Sequence, residues 1–395
     1  MMPDRPRLRS LILPGILCAA LLLSGWLAPT AALEFHAGGA GACSACHSMH
    51  SARSAGDSLL LSTDPSSICL NCHAGPGGPN SPSVFSQDGS ALTPGGDFYW
   101  LTRSFSWLDG SSPGHDHGHN IVAVDHNLLA DPLQSRAPGG TFPATQLGCT
   151  SCHDPHGQAG GGTRWGETPV SGSGSYGAEP PVGTVSGNYR LLGDSRYQPT
   201  GGVSFNADAP VARQNSVSRF TETDSTHVAY GSGMSEWCGN CHAAMLGGNH
   251  QATGSTFVHP AGRGAMLQQE QVTTYNSYLR TGDFTGTAAM AYLQFAPFER
   301  GTATLQLLDP NSRQGPEASA NVMCLTCHRA HASAFPDAGR WDFTASLLAD
   351  SHPAVGDLGA TVSDVYYSYY RRDIAAEFGA GQGQFCEKCH GTATP

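Results

Sequence analysis

Apolar residues along this chain come in short bursts, separated by longer stretches with no period. Leu59–Leu61 is one burst, and the aromatic run from Asp97 to Leu108 (Phe98, Tyr99, Trp100, Phe105, Trp107) is another, close to strand period. The first lies between two cysteine motifs and predicts an apolar wrap for them. Ile121–Val124 predicts a short strand. Val272, Tyr275 and Leu279 keep helical spacing up to Gly282, and Ala288–Leu293 predicts a further short helix. Tyr366, Tyr370, Ile374 and Phe378 recur every fourth residue between Ser363 and Gly379, the clearest amphipathic helix in the chain. The segments 74–96 and 157–187 are rich in Gly, Ser and Pro and predict loops. The expected fold is mostly irregular coil, with short α-helices and a few short strands.

Composition sharpens the problem. Fifty glycines and 26 prolines in 395 residues raise the entropic cost of folding, and few periodic segments offer a core to offset it. Some other agent must organise the chain, and the cysteines identify it.

After Cys18, every cysteine lies in a C-x-x-C-H motif. The six are Cys43/Cys46/His47, Cys69/Cys72/His73, Cys149/Cys152/His153, Cys238/Cys241/His242, Cys324/Cys327/His328 and Cys386/Cys389/His390. Two thiols at this spacing add to the vinyl groups of one haem, and the histidine that follows meets the iron. Zinc needs no histidine directly after each pair, and a redox C-x-x-C occurs once beside a βαβ unit. Six covalent haem c groups are therefore expected, each an apolar plate for the chain to wrap.

Eighteen histidines less six proximal ones leave twelve, twice the number of sixth ligands required. Bis-histidine coordination at every iron is feasible, and irons closed in that way carry electrons without taking substrate. The first, third and fifth motifs add a histidine three residues on: His50, His156 and His331. That histidine lies on the same side of the local turn as its neighbour, so it is expected to serve a different haem. No motif replaces its proximal histidine with lysine, which favours conduction over catalysis.

Arg5, Arg7 and Arg9, the apolar run Leu11–Leu27 and the small residues Ala28–Ala32 predict a secretory signal peptide over residues 1–33. The alternative, a retained anchor, is disfavoured by Pro14 and Gly25. Residues 34–395 are then a single haem-bearing domain with no membrane span. Losing residues 1–33 moves the formal charge from -11 to -13, which argues against nucleic acid as a partner.

Phe35–Gly39 leading into Cys43–His50, Thr93–Phe98, Gly118–Val122, Cys149–Gly157, Tyr230–His242, His259–Gly262, Tyr275–Tyr278, Ala296–Glu299 and Cys324–Ala334 resemble the OmcS-type extracellular hexahaem cytochromes. The resemblance spans nearly the whole chain after the signal peptide. It implies a secreted filament, or nanowire, of closely stacked bis-histidine haems that reduces extracellular acceptors. It also implies His36, His50, His119, His156, His259 and His331 as the distal ligands, with His50 reaching the His328 haem of a neighbouring copy in a head-to-tail polymer. His115, His117, His126, His227, His250 and His352 lie in contexts that depart from the family. Two rivals remain: a monomeric periplasmic or surface electron carrier, and a multihaem reductase with one exchangeable ligand.

Overall fold

The computed structural model describes residues 43–54, 59–77, 81–155, 158–159, 169–170, 191–195, 197–214, 220–246 and 259–391. The expected signal peptide, His36, His156, His250 and nearly all of the 157–187 loop lie outside the described residues. Those described all fall within one compact unit, residues 35–395.

The helices are short, and several are bounded by a cap or a haem motif. Helix α1, Pro65–His73, starts with proline at its first turn and Asp64 as its cap, whose carboxylate accepts from Ser67 N at 2.9 Å. The other Asp64 oxygen accepts from Val124 N at 2.8 Å and so ties the second motif to the 124–126 turn. Helices α2 (Met234–Cys238), α3 (Gln269–Ser277), α4 (Ala288–Ala291) and α5 (Cys324–Cys327) follow. Helices α6 (Val362–Ser368), α7 (Ile374–Phe378) and α8 (Gln382–His390) complete the set among the described residues. None is long and apolar enough to cross a membrane.

Among the described residues, strands occur only as two-stranded pieces. Phe105–Trp107 (β1) pairs antiparallel with Gly110–Ser112 (β2), Gln158–Ala159 (β3) pairs parallel with Pro169–Val170 (β4), and Ala212–Gln214 (β5) pairs antiparallel with Val228–Tyr230 (β6). Four apolar clusters form among the described residues instead of one core, and the three larger ones each abut a cysteine motif, while the smallest holds Ala229, Leu305 and Leu308. One holds Tyr275, Tyr278, Phe295, Ile374, Phe378 and Phe385 against Cys327 and Cys389. A second packs Leu70, Phe98, Trp100, Phe105 and Phe335 against Cys149, and a third sets Val228, Tyr230, Met234, Met323 and Leu325 against Cys238.

Several expectations from the apolar pattern are corrected. The helix over Ser363–Phe378 is two helices, broken where Tyr370 (φ 55°) and Arg371 (φ 65°) turn left-handed. Tertiary contacts hold the break open: the Tyr370 hydroxyl donates to Thr93 O at 2.6 Å, and the Arg329 guanidinium lies 3.7 Å from the centre of its ring. The first half of the 97–108 run is a 3-10 turn, Phe98–Thr102, because the buried Asp97 carboxylate accepts from the backbone of Ser86, Ala91 and Tyr99. Ile121–Val124 is not a strand; Ala123 makes only an isolated bridge to Leu128.

Candidate haem-binding sites

No described cysteine is disulfide-bonded. The motifs instead approach one another in chain order. The Cys69 and Cys149 thiols are in hydrogen-bond contact, as are Cys238 and Cys324. Cys46 acts electrostatically on Cys69, and Cys327 is pushed up to about 12 by burial first and by Cys389 next. Cys152 is likewise pushed up to about 12, again by burial first and then by Cys241. The first motif is thus next to the second, the second to the third, and so on to the sixth.

Cys72 and His47 correct the expectation that the chain wraps every motif. Cys72 is exposed, the one described motif cysteine that is. Helix α1 turns Leu70 inward, and a residue two places on stands about 200° round the helix, so Cys72 takes the outer face. His47 is only half-buried. Its backbone bridges Leu60, but of the Leu59–Leu61 burst Leu60 alone is buried; Leu59 turns left-handed (φ 50°) and is exposed. The spacing of the first two motifs suits attachment, with Cys72 for the thioether and His47 for the proximal bond.

Three proximal histidines face a second histidine across a gap. Ring centres are 6.4 Å apart for His153 and His331, 6.0 Å for His119 and His242, and 6.2 Å for His259 and His390. A metal–imidazole bond of about 2.0 Å, with ~1.1 Å from nitrogen to ring centre, puts two trans imidazoles about 6.2 Å apart. The gaps fit one iron each.

Orientation fits as well. His73, His119, His242, His259 and His328 each donate Nδ1–H to a backbone carbonyl: Pro82 O at 2.9 Å, Ala330 O at 2.8 Å, Pro138 O at 2.8 Å, Pro260 O at 2.8 Å and Asp337 O at 2.7 Å respectively. That bond fixes the tautomer and leaves the Nε2 lone pair for a metal. Burial favours the neutral ring at His119, His328 and His390. It is the main cause that takes His119 down to about 4, with His242 next, and it also lowers the other two. The accepting carbonyls carry no sequence signal, since any residue supplies one.

The remaining described histidines are engaged elsewhere. His117 is fully buried with both nitrogens used, Nδ1 with Trp100 O at 2.9 Å and Nε2 with Ser112 Oγ at 2.7 Å. His352 stacks on Trp107 with ring centres 3.7 Å apart and pairs with Asp357 at 2.6 Å. His227 packs on Tyr292 at 4.8 Å, His126 sets its edge against Phe85 at 6.3 Å, and His115 Nε2 is 3.5 Å from Asp116. The His115–His119 run is not a metal cluster, and no group of three or more His, Cys, Asp or Glu suited to one occurs among the described residues.

The His331 position is set by two glycines that sequence reading passed over. A Cβ on Gly96 would lie 2.0 Å from Ala332 O, and one on Gly118 would lie 2.3 Å from His331 O. The 331–332 backbone is therefore clamped from both sides, with His331 N donating to Gly95 O at 2.6 Å and Phe98 stacked on its ring at 4.7 Å.

A family profile for the doubled CXXCH motif matches residues 36–78, covering the first two sites. The chain is 40% identical to the C-type cytochrome OmcS of Geobacter sulfurreducens, over 95% of this chain and 97% of that protein. The chain belongs to the OmcS family of c-type cytochromes. Its fold is similar to two solved structures, the OmcS nanowires (TM-score 0.70, 37% identity) and the OmcS filament (TM-score 0.68, 36% identity). Each comparison covers 91% of this chain and all of the other. As an OmcS-family cytochrome it carries six covalent haem c groups, one per C-x-x-C-H motif.

Proposed function

We propose that this OmcS-family cytochrome is secreted after loss of residues 1–33, and that residues 34–395 polymerise head to tail into an extracellular filament conducting electrons to external acceptors. The observation that carries the reading is the set of three histidine pairs 6.0–6.4 Å apart, each joining a proximal histidine to a second imidazole. When bound, haem c supplies a one-electron iron couple at each site. The chain's own residues do the rest. His153 with His331, His242 with His119, and His390 with His259 close both faces of an iron. Backbone carbonyls hold the rings in one tautomer, and the apolar clusters pack against Cys149, Cys238, Cys327 and Cys389. Bis-histidine closure of the irons, together with a proximal histidine in every motif, supports electron conduction as the chain's role.

His36 and His156 are assigned to the irons of the first two motifs. His50 is assigned to the iron of His328 in the next copy. It is exposed on a turn closed by Ser48 Oγ, which accepts from His50 N at 3.2 Å and Ser51 N at 3.1 Å. His328 meets the edge of Phe343 at 5.4 Å, and no histidine ring among the described residues stands opposite it. Each subunit then offers a ligand at one end and an incomplete iron at the other, an arrangement that grows into a fibre when its rotation does not close.

The test is His50→Ala. The expected product retains six haems by mass, forms monomers or short oligomers by electron microscopy, and has one iron in six that is high-spin and takes cyanide. Full-length filaments with six low-spin irons would refute the assignment. An exchangeable iron in the native filament would favour the reductase.

A further inference from the structure

Three buried charges stand against the fifth motif and do not cancel. Glu222, Arg329 and Arg340 have side chains 3%, 2% and 0% exposed. One carboxylate oxygen of Glu222 accepts from Arg329 Nη1 at 2.5 Å and from Arg340 Nη1 at 3.3 Å, while Gln294 Nε2 donates to the other at 2.9 Å. Two guanidiniums share one carboxylate, so the cluster carries a net positive charge. Burial pushes the Glu222 carboxyl up, but the two arginines outweigh it and hold the group below its ordinary range. Other groups acting on the guanidiniums are the phenols of Tyr230 and Tyr370, neutral at physiological pH; Tyr370 is pushed up to about 12 by burial. Arg340 Nη2 is buried without a hydrogen-bond partner.

The charge is close to the motif. Arg329 follows His328 directly, and Arg340 Nε donates to Leu325 O at 2.7 Å and to His328 O at 3.3 Å. A buried arginine pair sharing one carboxylate is a poor device for stability alone, because each guanidinium is costly to desolvate.

We propose that Glu222, Arg329 and Arg340 form an electrostatic bias that makes the His328 site easier to reduce, so that an electron moving along the chain rests next to the junction between subunits. This rests on the reading of Cys324–His328 as a haem c site. Adding an electron to the iron lowers its positive charge by one, and a fixed positive charge nearby favours that state. At an effective dielectric of about 20, a unit charge within about a nanometre of a redox site biases its equilibrium by roughly tenfold or more. For a one-electron couple tenfold is about 59 mV.

The experiment is a potentiometric titration of the full-length protein, followed in the visible haem bands, for wild type and three variants. Arg340→Gln and Arg329→Gln each cancel the net charge and should shift one component negative by roughly tenfold in its equilibrium. Glu222→Gln leaves both arginines uncompensated and should shift the same component positive. Arg372→Gln, in the partly exposed pair with Asp224 and Glu377, is the control and should shift nothing. Should one arginine variant fail to mature, the other carries the same expectation. Variants with six haems and low-spin spectra whose components do not move, or all move in one direction, would overturn the proposal. A wild-type mass short of six haems would instead sink the reading of the motifs.

Discussion

Substituting Gly96 with alanine tests how the fold sets the distance between His331 and His153. Gly96 has φ +98°, and an added Cβ would lie 2.0 Å from Ala332 O, about 1 Å inside the closest contact real Cβ atoms make. The 331–332 segment cannot retreat, because Gly118 blocks it on the other side with 2.3 Å to His331 O. A side chain in the left-handed region costs about 1–2 kcal/mol. Forcing backbone apart in a packed interior adds about 1–3 kcal/mol. Weakening the bond from Asp97 N to Ala332 O, now 3.1 Å, adds about 1 kcal/mol. The sum, about 3–6 kcal/mol, corresponds to a fall of roughly 4–8 °C in Tm for a chain of this length, at about 2.1 cal/mol/K of unfolding entropy per residue. The ring pair should also open, leaving one iron in six high-spin by EPR. Gly202→Ala is the control: its φ is +78°, but nothing lies within 4 Å of the added Cβ, so it carries the conformational cost alone. A Gly96→Ala protein that melts with Gly202→Ala and keeps six low-spin irons would refute the clamp.

Replacing His119 with methionine should leave six haems attached but change the ligand opposite His242, giving one altered low-spin or high-spin signal in magnetic circular dichroism; an unchanged spectrum would contradict the pairing. Burial first, and then the Glu236 carboxylate, push Glu299 from 4.5 up to about 7. Between those values the folded chain holds a proton that the unfolded chain releases, so stability should fall as pH rises from about 4.5 to about 7 and level off above. Glu299→Gln should flatten that part of the Tm–pH curve, and an unchanged slope would show that Glu299 does not cause it. Arg371→Gly relieves a left-handed residue at the break between α6 and α7 and should stabilise by up to about 1 kcal/mol, read as a raised Tm; a lower Tm would mean that the guanidinium of Arg371 over the Tyr367 ring, at 5.4 Å, matters more.

The haem motifs were legible in the sequence because thiol spacing and an adjacent histidine are local requirements of covalent attachment. The irregular fold was legible too, since Gly- and Pro-rich stretches without period build few long elements. Pattern alone failed where tertiary contacts outweighed a local preference. The four-residue spacing of Tyr366, Tyr370, Ile374 and Phe378 is a sound helical signal, yet Arg329 and Thr93 capture Tyr370 and the helix breaks there. Nothing in its sequence neighbourhood marks Glu236, yet in the fold one of its oxygens accepts from Arg263 N at 2.8 Å and the other is buried. The Leu59–Leu61 burst was equally misleading, because three leucines promise an apolar wrap and only Leu60 is buried.

The sequence by itself determined how many haems the chain carries, where each is attached, and that imidazoles exceed the irons to be closed. Only the tertiary structure decided which imidazole faces which. His119 reaches His242, and His331 reaches His153, across separations along the chain that no spacing rule constrains. The same holds for the unbalanced charge beside His328: Glu222 and Arg340 are far apart in the chain, and only folding removes them from water and makes their sum felt. A covalent bond is specified by neighbours in sequence, whereas a ligand pair and a buried charge are specified by neighbours in space.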